Sequence, residues 1–290
     1  MKNFLRDYKY FGTISCIVFA YLSFTGTGYA AYWCVWFAFG LIPSFELVIK
    51  YDEKNLSIDD ENLIKDSFIY DLYLWMMVPF ILHFHYLFLM GTKDPTLTRF
   101  DMIGRTLSLS VMNIYSINMG HELGHRSKLF EKNLARILFL LSMIMHFFIE
   151  HVRGHHVRIG TDEDPASAKK GENVYGRGLY SLFATYFSAW GLEKKRLQSH
   201  GLPFIHYRNE MIWYQIIQIL TMLFIIHYFG LRGFKWWLAA AFLGAYLLEI
   251  VNYIEHYGLR RKQNKDGSYE KVSIMHSWNS NHLLGRIYLY

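Results

Sequence analysis

The sequence predicts an all-α integral membrane protein with about six transmembrane helices and a cytoplasmic, histidine-rich helical domain. Of its 290 residues, 52% are hydrophobic and 18% are aromatic. These residues are concentrated in apolar runs close to the roughly 20 residues that a helix needs to cross the hydrocarbon core. Clusters of histidine follow three of the runs. Because lipid offers no hydrogen bonds to the backbone, each spanning run is expected to be a helix.

Seven apolar runs are present, and we interpret six of them as spans. The seventh, 133–149, is short. A crossing there would place the histidines before and after it on opposite sides of the membrane, where they would not share a metal site. We therefore expect this stretch to lie in or beneath the catalytic domain, and both termini to face one side. The predicted spans of this single membrane-embedded domain, 1–290, are residues 11–27, 29–49, 69–90, 102–120, 212–230 and 234–253.

The charge distribution predicts which side faces the cytoplasm. The formal net charge is +6, and segment 121–211 is rich in lysine and arginine. The opposite connections, around 28, 91–101 and 231–233, are short and poorly charged. Because basic residues accumulate on the cytoplasmic side, the histidine-bearing side is predicted to be cytoplasmic. Membrane topology thus accounts for the basic balance, and no nucleic-acid partner is expected.

The N-terminus indicates a retained first span, and the cysteines exclude several kinds of disulfide and metal site. Lysine and arginine precede the first apolar run, but no small-residue cleavage site follows, so we expect a retained first span and not a signal peptide. The two cysteines, Cys16 and Cys34, both lie in apolar runs. They form no CxxC pair, which excludes a disulfide framework, a zinc ribbon and a rubredoxin-like iron site. If the chemistry needs electrons, a separate protein must supply them.

Two histidine clusters have the spacing of metal ligands. The first is His121-Glu-Leu-Gly-His125, whose histidines lie one turn apart on one helix face. The second, 150–156, repeats this spacing and adds an adjacent histidine about 100° further around the helix. Histidine is costly in or near hydrocarbon unless it has partners. The predicted ligands from these clusters are His121, His125, His151, His155 and His156.

Two later elements add candidates. His256 lies at the end of the last predicted span, in the segment Asn-Tyr-Ile-Glu-His-Tyr-Gly. With six crossings, this end of the span is on the same side of the membrane as the other histidine clusters. The looser run His-Ser-Trp-Asn-Ser-Asn-His, 276–282, is interpreted as hydrogen-bond partners or lining of the site, with Asn279 and His282 as candidates. The histidines without a paired pattern are interpreted as structural; these are His83, His85, His146, His200, His206 and His227.

Carboxylates accompany the histidines, and metal-bound histidine usually donates its other N–H to such a group. For residues 162–164 a solvated acidic loop is the alternative interpretation. The candidate partners are Glu122, Glu150, Glu255, Asp162 and Asp164.

The residues leave several kinds of metal protein open. His121-Glu-Leu-Gly-His125 matches the H-E-x-x-H signature of zinc proteases, in which Glu122 would be the general base. A protease needs one zinc and one further ligand, whereas six candidate histidines suit two metals. A thiolate-free two-metal site beside apolar helices indicates iron and oxygen chemistry. The same residues are also compatible with a desaturase and with a metal-binding or transport protein, although the few charges in the spans count against transport.

The segments HELGHR, EHVRGHH and NYIEHYGL, with 157–178 and HSWNSNH, resemble the integral-membrane alkane monooxygenases and the membrane component of xylene monooxygenase. The resemblance to the membrane fatty-acid desaturase and hydroxylase superfamily is more distant. The resemblance to the alkane monooxygenases covers most of the chain from about residue 70 onward. It implies two non-haem irons on the cytoplasmic face of a bacterial inner membrane, with the six histidines as ligands. It also implies O2-dependent hydroxylation of a terminal C–H of an alkane or alkyl group, and electrons from a rubredoxin-like or ferredoxin-like carrier and its reductase.

The chain departs from this family in one respect. The family has a further histidine box of the form LQRHSDHH shortly after HSWNSNH, and this sequence ends at Tyr290, where that box would begin. The expectation is a truncated sequence, with another group that completes the site as the alternative. Without the box the second iron lacks ligands, and activity is expected to be impaired or absent.

An alkane has no polar group for a protein to bind, so shape alone must align it. A channel between spans 2 to 4 is expected to do so. The candidate lining residues are Trp36, Phe37, Trp75 and Phe80, with plain helix packing as the alternative for each.

Overall fold

The structure, a computed structural model, describes residues 14–49, 68–278, 282 and 284–285. The start of the predicted span 11–27 and the candidate Asn279 lie outside the described residues. The described chain is helical, and its one bridge of β type joins Gln263 to Tyr269. The α-helices are α1 (Ser15–Thr25), α2 (Trp33–Trp36), α3 (Ile42–Glu46), α4 (Phe68–Gly91), α5 (Arg99–His125), α6 (Leu129–Leu141), α7 (Phe147–Glu150), α8 (His156–Arg158), α9 (Val174–Ser199) and α10 (Glu210–His256).

Tighter and wider helical turns join some of these helices. The 3₁₀ turns are Gly28–Tyr32 and Ile274–His276, and the π-helical turns are Phe37–Leu41 and His151–His155. Residues 28–46 are therefore one continuous helical pass of mixed geometry.

Helix α10 reverses direction in its middle. It comprises 47 residues, and Gly230 within it has φ 69° and ψ 177°. Residues with a side chain rarely adopt this conformation, so glycine is required at the turn. The reversal divides α10 into two arms, 210–229 and 231–256, and it falls at the last residue of the predicted span 212–230.

Six helical passes within the described residues run between two ends of the molecule. At one end, the far end, Arg105 Nη2 donates to the carbonyl of Gly26 at 2.9 Å, and the Lys93 ammonium lies 5.1 Å from the centre of the Phe229 ring. The turns after α1, after α4 and within α10 therefore lie together. The passes are α1, 28–46, α4, α5 and the two arms of α10, with alternating directions.

The opposite end, the histidine end, carries the starts of α4 and α10 and the last turn of α5. Arg126, just after α5, pairs with Asp71 of α4 at 3.4 Å, and Arg153 pairs with Glu210 of α10 at 3.0 Å. An even number of passes returns the chain to the end from which it started. All the predicted metal ligands lie at this end.

Helix α5 lies at the centre of the bundle and is more polar than α4 and α10. By length and composition, α4 and α10 are the described helices apolar enough to cross a bilayer. Helix α5 is 27 residues long but buries polar residues, including Asn113 and Ser108. Their side chains donate to the carbonyls of Ala240 at 3.2 Å and Ala31 at 2.8 Å. The neighbouring passes thus satisfy the polar groups of α5.

The stretch 133–149 does not form one helix. Helix α6 has 13 residues and ends before Ser142, and the next residue, Met143, has φ 59°. At 1.5 Å per residue, α6 is about 20 Å long, which is less than the roughly 30 Å of hydrocarbon. Its continuation turns back toward the histidine end and carries the second histidine cluster.

A glycine contact holds the second arm of α10 against α5. A Cβ added at Gly244 would lie 2.5 Å from Asn113 Cβ and 3.3 Å from the Ser110 carbonyl oxygen. We expect Gly244→Ala to lower the free energy of unfolding by about 1–3 kcal/mol, because the two helices must separate. Gly191→Ala in α9 is the matched control, since a Cβ there meets nothing within 4 Å. Thermal unfolding in detergent measures both, and equal melting temperatures would contradict the close contact.

Candidate metal centre

The last turn of α5 presents the first pair of histidines. A capping box formed by Thr98 and Asp101 begins this helix, which then continues without interruption to His125. His121 and His125 are therefore one turn apart on one face. Their Nε2 atoms lie 2.9 Å apart.

A π-helical turn presents the second pair and changes the pairing that α-helical spacing predicts. The spacing pairs His151 with His155, four residues on. In the structure, residues His151–His155 form a π turn, whose hydrogen bonds join residues five apart. The extra residue in the turn brings His151 to His156 instead, with their Nε2 atoms 2.9 Å apart. His155 is rotated away from them.

The two pairs meet at the histidine end and form a four-imidazole cluster of His121, His125, His151 and His156. One nitrogen of each ring lies within 4.8 Å of the others. An imidazole nitrogen binds a metal such as zinc at about 2.0–2.1 Å, so nitrogens on opposite sides of one ion are about 4 Å apart. The cluster is therefore slightly wider than a single bound ion requires, and its donor type suits iron, zinc, copper or nickel.

The electrostatics of the cluster favour neutral rings, which is the form that binds metal. Burial, and then the neighbouring imidazoles, lower the pKa of His151 well below its usual value. Burial and the nearby His155 and His125 lower the pKa of His156 to about 4. Near neutral pH both rings therefore keep a free lone pair. The residues present thus fit a resident metal ion.

A second histidine pair, His155 and His256, lies beside the cluster, with ring centres 4.9 Å apart. Both residues are only 3% exposed. His155 Nδ1 donates to Asp164 Oδ2 at 3.0 Å, and His256 Nδ1 donates to the carbonyl of His276 at 3.0 Å. Each ring uses Nδ1 for the protein and keeps Nε2 as the nitrogen able to bind a metal.

Asp164 is the carboxylate that orients His155. It is buried and also accepts from Ser167 Oγ at 2.6 Å and from Ala166 N at 3.2 Å. Burial opposes its charge, but the hydrogen bond and charge of His155, with the bonds from Ser167 and Ala166, hold the pKa of Asp164 below its usual value. Burial likewise opposes the charged form of His155, yet the Asp164 contact raises the pKa of His155 overall.

Glu150 supports the π turn and hydrogen-bonds to no histidine among the described contacts. Its buried carboxylate accepts from Arg158 Nη2 at 2.7 Å and from Ser188 Oγ at 3.3 Å. Burial raises the pKa of Glu150 to about 7. A Cβ at Gly154 would lie 2.7 Å from Glu150 Oε1 and would also collide with Arg158 Nη2. The ion pair therefore lies directly against the turn, and glycine makes that approach possible.

The other predicted carboxylates occupy different surroundings. Glu122 pairs with Arg126 at 2.9 Å. Asp162 is at the surface, where its side chain is 70% exposed and pairs with Lys169 at 2.9 Å. A Glu255 carboxylate oxygen lies 3.9 Å from His256 Nε2. Of these three, only Glu255 contacts a predicted ligand in the structure.

The remaining predicted residues are placed as follows. His282 is exposed in the structure. His85, interpreted as structural, accepts at Nδ1 from Trp237 Nε1 at 3.2 Å, and His146 packs edge-on against Tyr186. Both side chains are buried.

Glu249 is a buried carboxylate near the second pair that the motifs did not indicate. It accepts from Ser181 Oγ at 2.5 Å and from Asn252 Nδ2 at 3.2 Å. Its charge acts on His155 and Asp164. It precedes His256 by seven residues, which is two helical turns on the same face. In the sequence, a glutamate seven residues before the candidate ligand His256 was the feature that could have indicated Glu249.

An apolar cavity of about 300 Å³ lies between the first two passes and α5. Phe37 lines it, but Trp36, Trp75 and Phe80 do not. Trp36 is 52% exposed on the outer surface, and Trp75 packs against Phe130. The lining includes Cys16, Phe19, Cys34, Phe37, Ile42, Val111, Met112, Tyr115 and Val251. Tyr115 precedes His121 by six residues, or about 9 Å of helix.

Comparison with known proteins identifies the family. The fatty acid desaturase family model matches residues 102–290. The chain is 40% identical to alkane 1-monooxygenase 2 of Pseudomonas aeruginosa over 67% of this chain and 52% of that protein. It is 31% identical to alkane 1-monooxygenase of Pseudomonas putida over 92% of this chain and 66% of that protein.

The similarity also extends along nearly the whole chain. The chain is 33% identical to alkane 1-monooxygenase 2 of Alcanivorax borkumensis over 99% of this chain and 77% of that protein. It spans about half the length of the Pseudomonas aeruginosa relative. The match covers the four-imidazole cluster, the second histidine pair and the helices that carry them. The chain therefore belongs to the fatty acid desaturase family, and its relatives include alkane 1-monooxygenases.

Proposed function

We propose that this chain forms the core of a non-haem di-iron monooxygenase that hydroxylates a terminal C–H bond of an alkane or alkyl group. The observation that carries the proposal is the four-imidazole cluster with a second histidine pair beside it. The reaction consumes R–H, O2, two electrons and two protons and yields R–OH and water. The irons, when bound, supply the redox chemistry that activates O2.

Six histidines are proposed as iron ligands. His121, His125, His151 and His156 would hold one ion, since their nitrogens converge. His155 and His256 would contribute to the second ion. Two imidazoles are fewer donors than an ion needs, so the second ion requires further ligands, such as the histidine box of the family. Asp164 and Glu255 are the partners proposed to orient these rings, with Asn279 and His282 as further candidates. Glu150 is proposed to support the π turn instead, and Glu122 and Asp162, which pair with Arg126 and Lys169, are assigned to no ring.

Outer hydrogen bonds fix the rings for this role. Asp164 holds the proton of His155 on Nδ1, and the His276 carbonyl does the same for His256. In the neutral ring, both bonds fix the tautomer with the proton on Nδ1, so that Nε2 is the nitrogen that can bind a metal, and they hold the orientation of each ring. The Glu150–Arg158 pair supports the backbone of the π turn that separates His155 from His151 and His156.

The apolar cavity is the proposed substrate site. Its lining is mostly hydrocarbon and aromatic, with Glu46 as the charged residue among the described lining residues, and this surface suits a molecule without polar groups. It follows α5 toward His121, so an extended alkyl chain would point one end at the cluster. Phe37 is retained in this lining, whereas Trp36, Trp75 and Phe80 are not among the residues that line the cavity.

The six passes are proposed to cross a bacterial inner membrane, with the histidine end in the cytoplasm. Both termini would then be cytoplasmic. Segment 121–211 carries thirteen lysines and arginines, and the far end carries five among its described residues. This asymmetry supports the orientation. The difference in basic residues between the two ends is smaller than the separate connections indicate, because the fold brings basic residues from several of them to the far end.

A rubredoxin-like or ferredoxin-like carrier and its reductase are the proposed electron source. The chain's two cysteines, Cys16 and Cys34, line the apolar cavity and form no CxxC pair that would hold an iron–sulfur site. His125 and His156 are exposed at the histidine end. An electron carrier docking there would approach the cluster directly.

Two further functions would make different use of the same residues. A zinc metalloprotease would need Glu122 as its general base, but Glu122 is paired with Arg126. Four convergent imidazoles also exceed the two histidines of its signature. A desaturase would share the metal site and differ in its product, an alkene instead of an alcohol.

Elemental analysis and product analysis test the proposal together. We would purify 1–290 and a chain extended through the family's further histidine box, and supply each with iron, an electron donor, O2 and octane. We expect two irons per extended chain, fewer in 1–290, and a terminal alcohol from the extended chain. One zinc in both, with peptidase activity lost in Glu122→Gln, would refute the monooxygenase in favour of the protease. An alkene product would identify a desaturase.

A further inference from the structure

We propose that the far end of the bundle binds the phosphate headgroup of an anionic phospholipid. The site is a cavity of about 660 Å³ lined by Arg99, Leu231, Arg232, Lys235, Trp236 and Ala239. It lies at the end opposite the histidines, so it has no part in the metal chemistry. The inference rests on the membrane placement proposed above.

Two helices supply the basic groups. Arg99 is the first residue of α5, and Arg232 and Lys235 lie one turn apart on the second arm of α10. Trp236 and Ala239 follow Arg232 by four and seven residues, so they extend the same face. Three cations distant in sequence thus surround one space. Each of the connections 91–101 and 231–233 carries few charges by itself, but the fold brings their basic residues together around this cavity.

These three cations form no ion pair among the described residues, and the nearest acids are engaged elsewhere. Asp94, whose charge reaches Arg232, accepts from Thr96 N at 2.8 Å and Thr96 Oγ1 at 2.6 Å. Asp101 caps α5 through Thr98. Like charges held close together repel, and a bound anion relieves that repulsion. A phosphate accepts charge-assisted hydrogen bonds from arginine and lysine.

The other basic residues of the far end show the contrast. Arg105 is buried and donates to the Gly26 carbonyl. Lys93 lies over the Phe229 ring. Both therefore have partners within the protein, whereas the cations around the cavity are exposed toward it.

The surroundings favour a lipid over a soluble anion. Leu231, Lys235, Leu238 and Phe242 recur at intervals of four, three and four residues, so they form one stripe along the second arm of α10. The three apolar members are exposed. Acyl chains would lie along Leu238 and Phe242 while the phosphate lies at Lys235. Trp236, at the same level, has the amphipathic ring that is enriched at membrane interfaces.

The test compares lipids and variants in nanodiscs. We would reconstitute the full chain in phosphatidylcholine with and without phosphatidylglycerol, and measure thermal unfolding and lipid retention by native mass spectrometry. Phosphatidylglycerol is expected to raise the melting temperature and to remain bound. The double variant Arg232→Gln/Lys235→Gln is expected to bind it about 30-fold more weakly, since each basic residue near an anionic surface contributes about 1 kcal/mol.

Controls separate the possible outcomes. Lys194→Gln/Lys195→Gln removes the same charge from exposed positions of α9 and is expected to behave as the unmodified chain. An equal loss in both double variants, or none in either, would overturn the site. Stabilisation by inorganic phosphate alone, to the same extent, would overturn the lipid assignment. Release of the chain from membranes by alkaline carbonate would refute the membrane placement itself, whereas retention without lipid preference would refute only this inference.

Discussion

Replacing His151 by alanine is expected to leave the four-imidazole cluster without bound iron. His151 contacts both pairs of the cluster: its ring centre lies 4.4 Å from those of His121 and His156. Loss of an outer hydrogen-bond partner of a metal ligand typically costs 10–100-fold in affinity or activity. Loss of a ligand should exceed that range, so hydroxylation by the extended chain should fall more than about 100-fold.

Metal content per chain measures this effect without relying on turnover. The extended chain should lose about one of its two irons, while the ion at His155 and His256 remains. His227→Ala is the matched control, because His227 is exposed on α10 outside both histidine groups. Thermal unfolding of the metal-free proteins checks that the variant folds. If His151→Ala retains the full iron content, His151 is not a ligand and the cluster assignment is wrong.

The pairing of the histidines in the π turn could not be predicted from the sequence. The motif Glu-His-Val-Arg-Gly-His-His contains two candidate pairs, four and five residues apart, and an α-helical period selects the first. The structure selects His151 with His156, because the backbone of 151–155 accommodates one extra residue per turn. The choice depends on tertiary contacts, such as Arg153 with Glu193 at 3.0 Å and the Glu150–Arg158 pair under Gly154. The motif itself does not show that its residues pair with Glu193 and Arg158, which lie outside it.

Other features followed more directly from sequence. The histidine pair at the end of α5 depends only on helical spacing, and the structure has it. The break at Gly230 agrees with a glycine between two apolar runs. The burial of α5, in contrast, could not be predicted from its own residues, because many of them are polar. It depends on hydrogen bonds to neighbouring helices, such as that from Asn113 to the Ala240 carbonyl. Asp162 and Asp164 are two residues apart and chemically identical, and only the fold distinguishes the exposed one from the buried one.

This difference between two aspartates provides the second large effect. Asp164→Asn is expected to weaken the ion bound through His155 by about 10–100-fold, because the ring loses the charged partner that fixes its tautomer. Asp162→Asn should change nothing, since Asp162 is exposed and pairs only with Lys169. The dissociation constant of the second iron, measured by equilibrium dialysis of the extended chain, tests both variants. The four-imidazole cluster should keep its ion in each, because Asp164 hydrogen-bonds to none of its rings among the described contacts.

Ser167→Ala provides a graded version of the same experiment. It removes the 2.6 Å bond from Ser167 Oγ to Asp164 but leaves the carboxylate in place. We expect a weakening of the second iron in the same direction and smaller than that of Asp164→Asn, because Asp164 is then less firmly held against His155. Weakening of both irons to the same degree in these variants would indicate general loss of structure instead of a local role. No change with Asp164→Asn would show that the orientation of His155 depends on other contacts, and it would remove the basis for assigning His155 to the second ion.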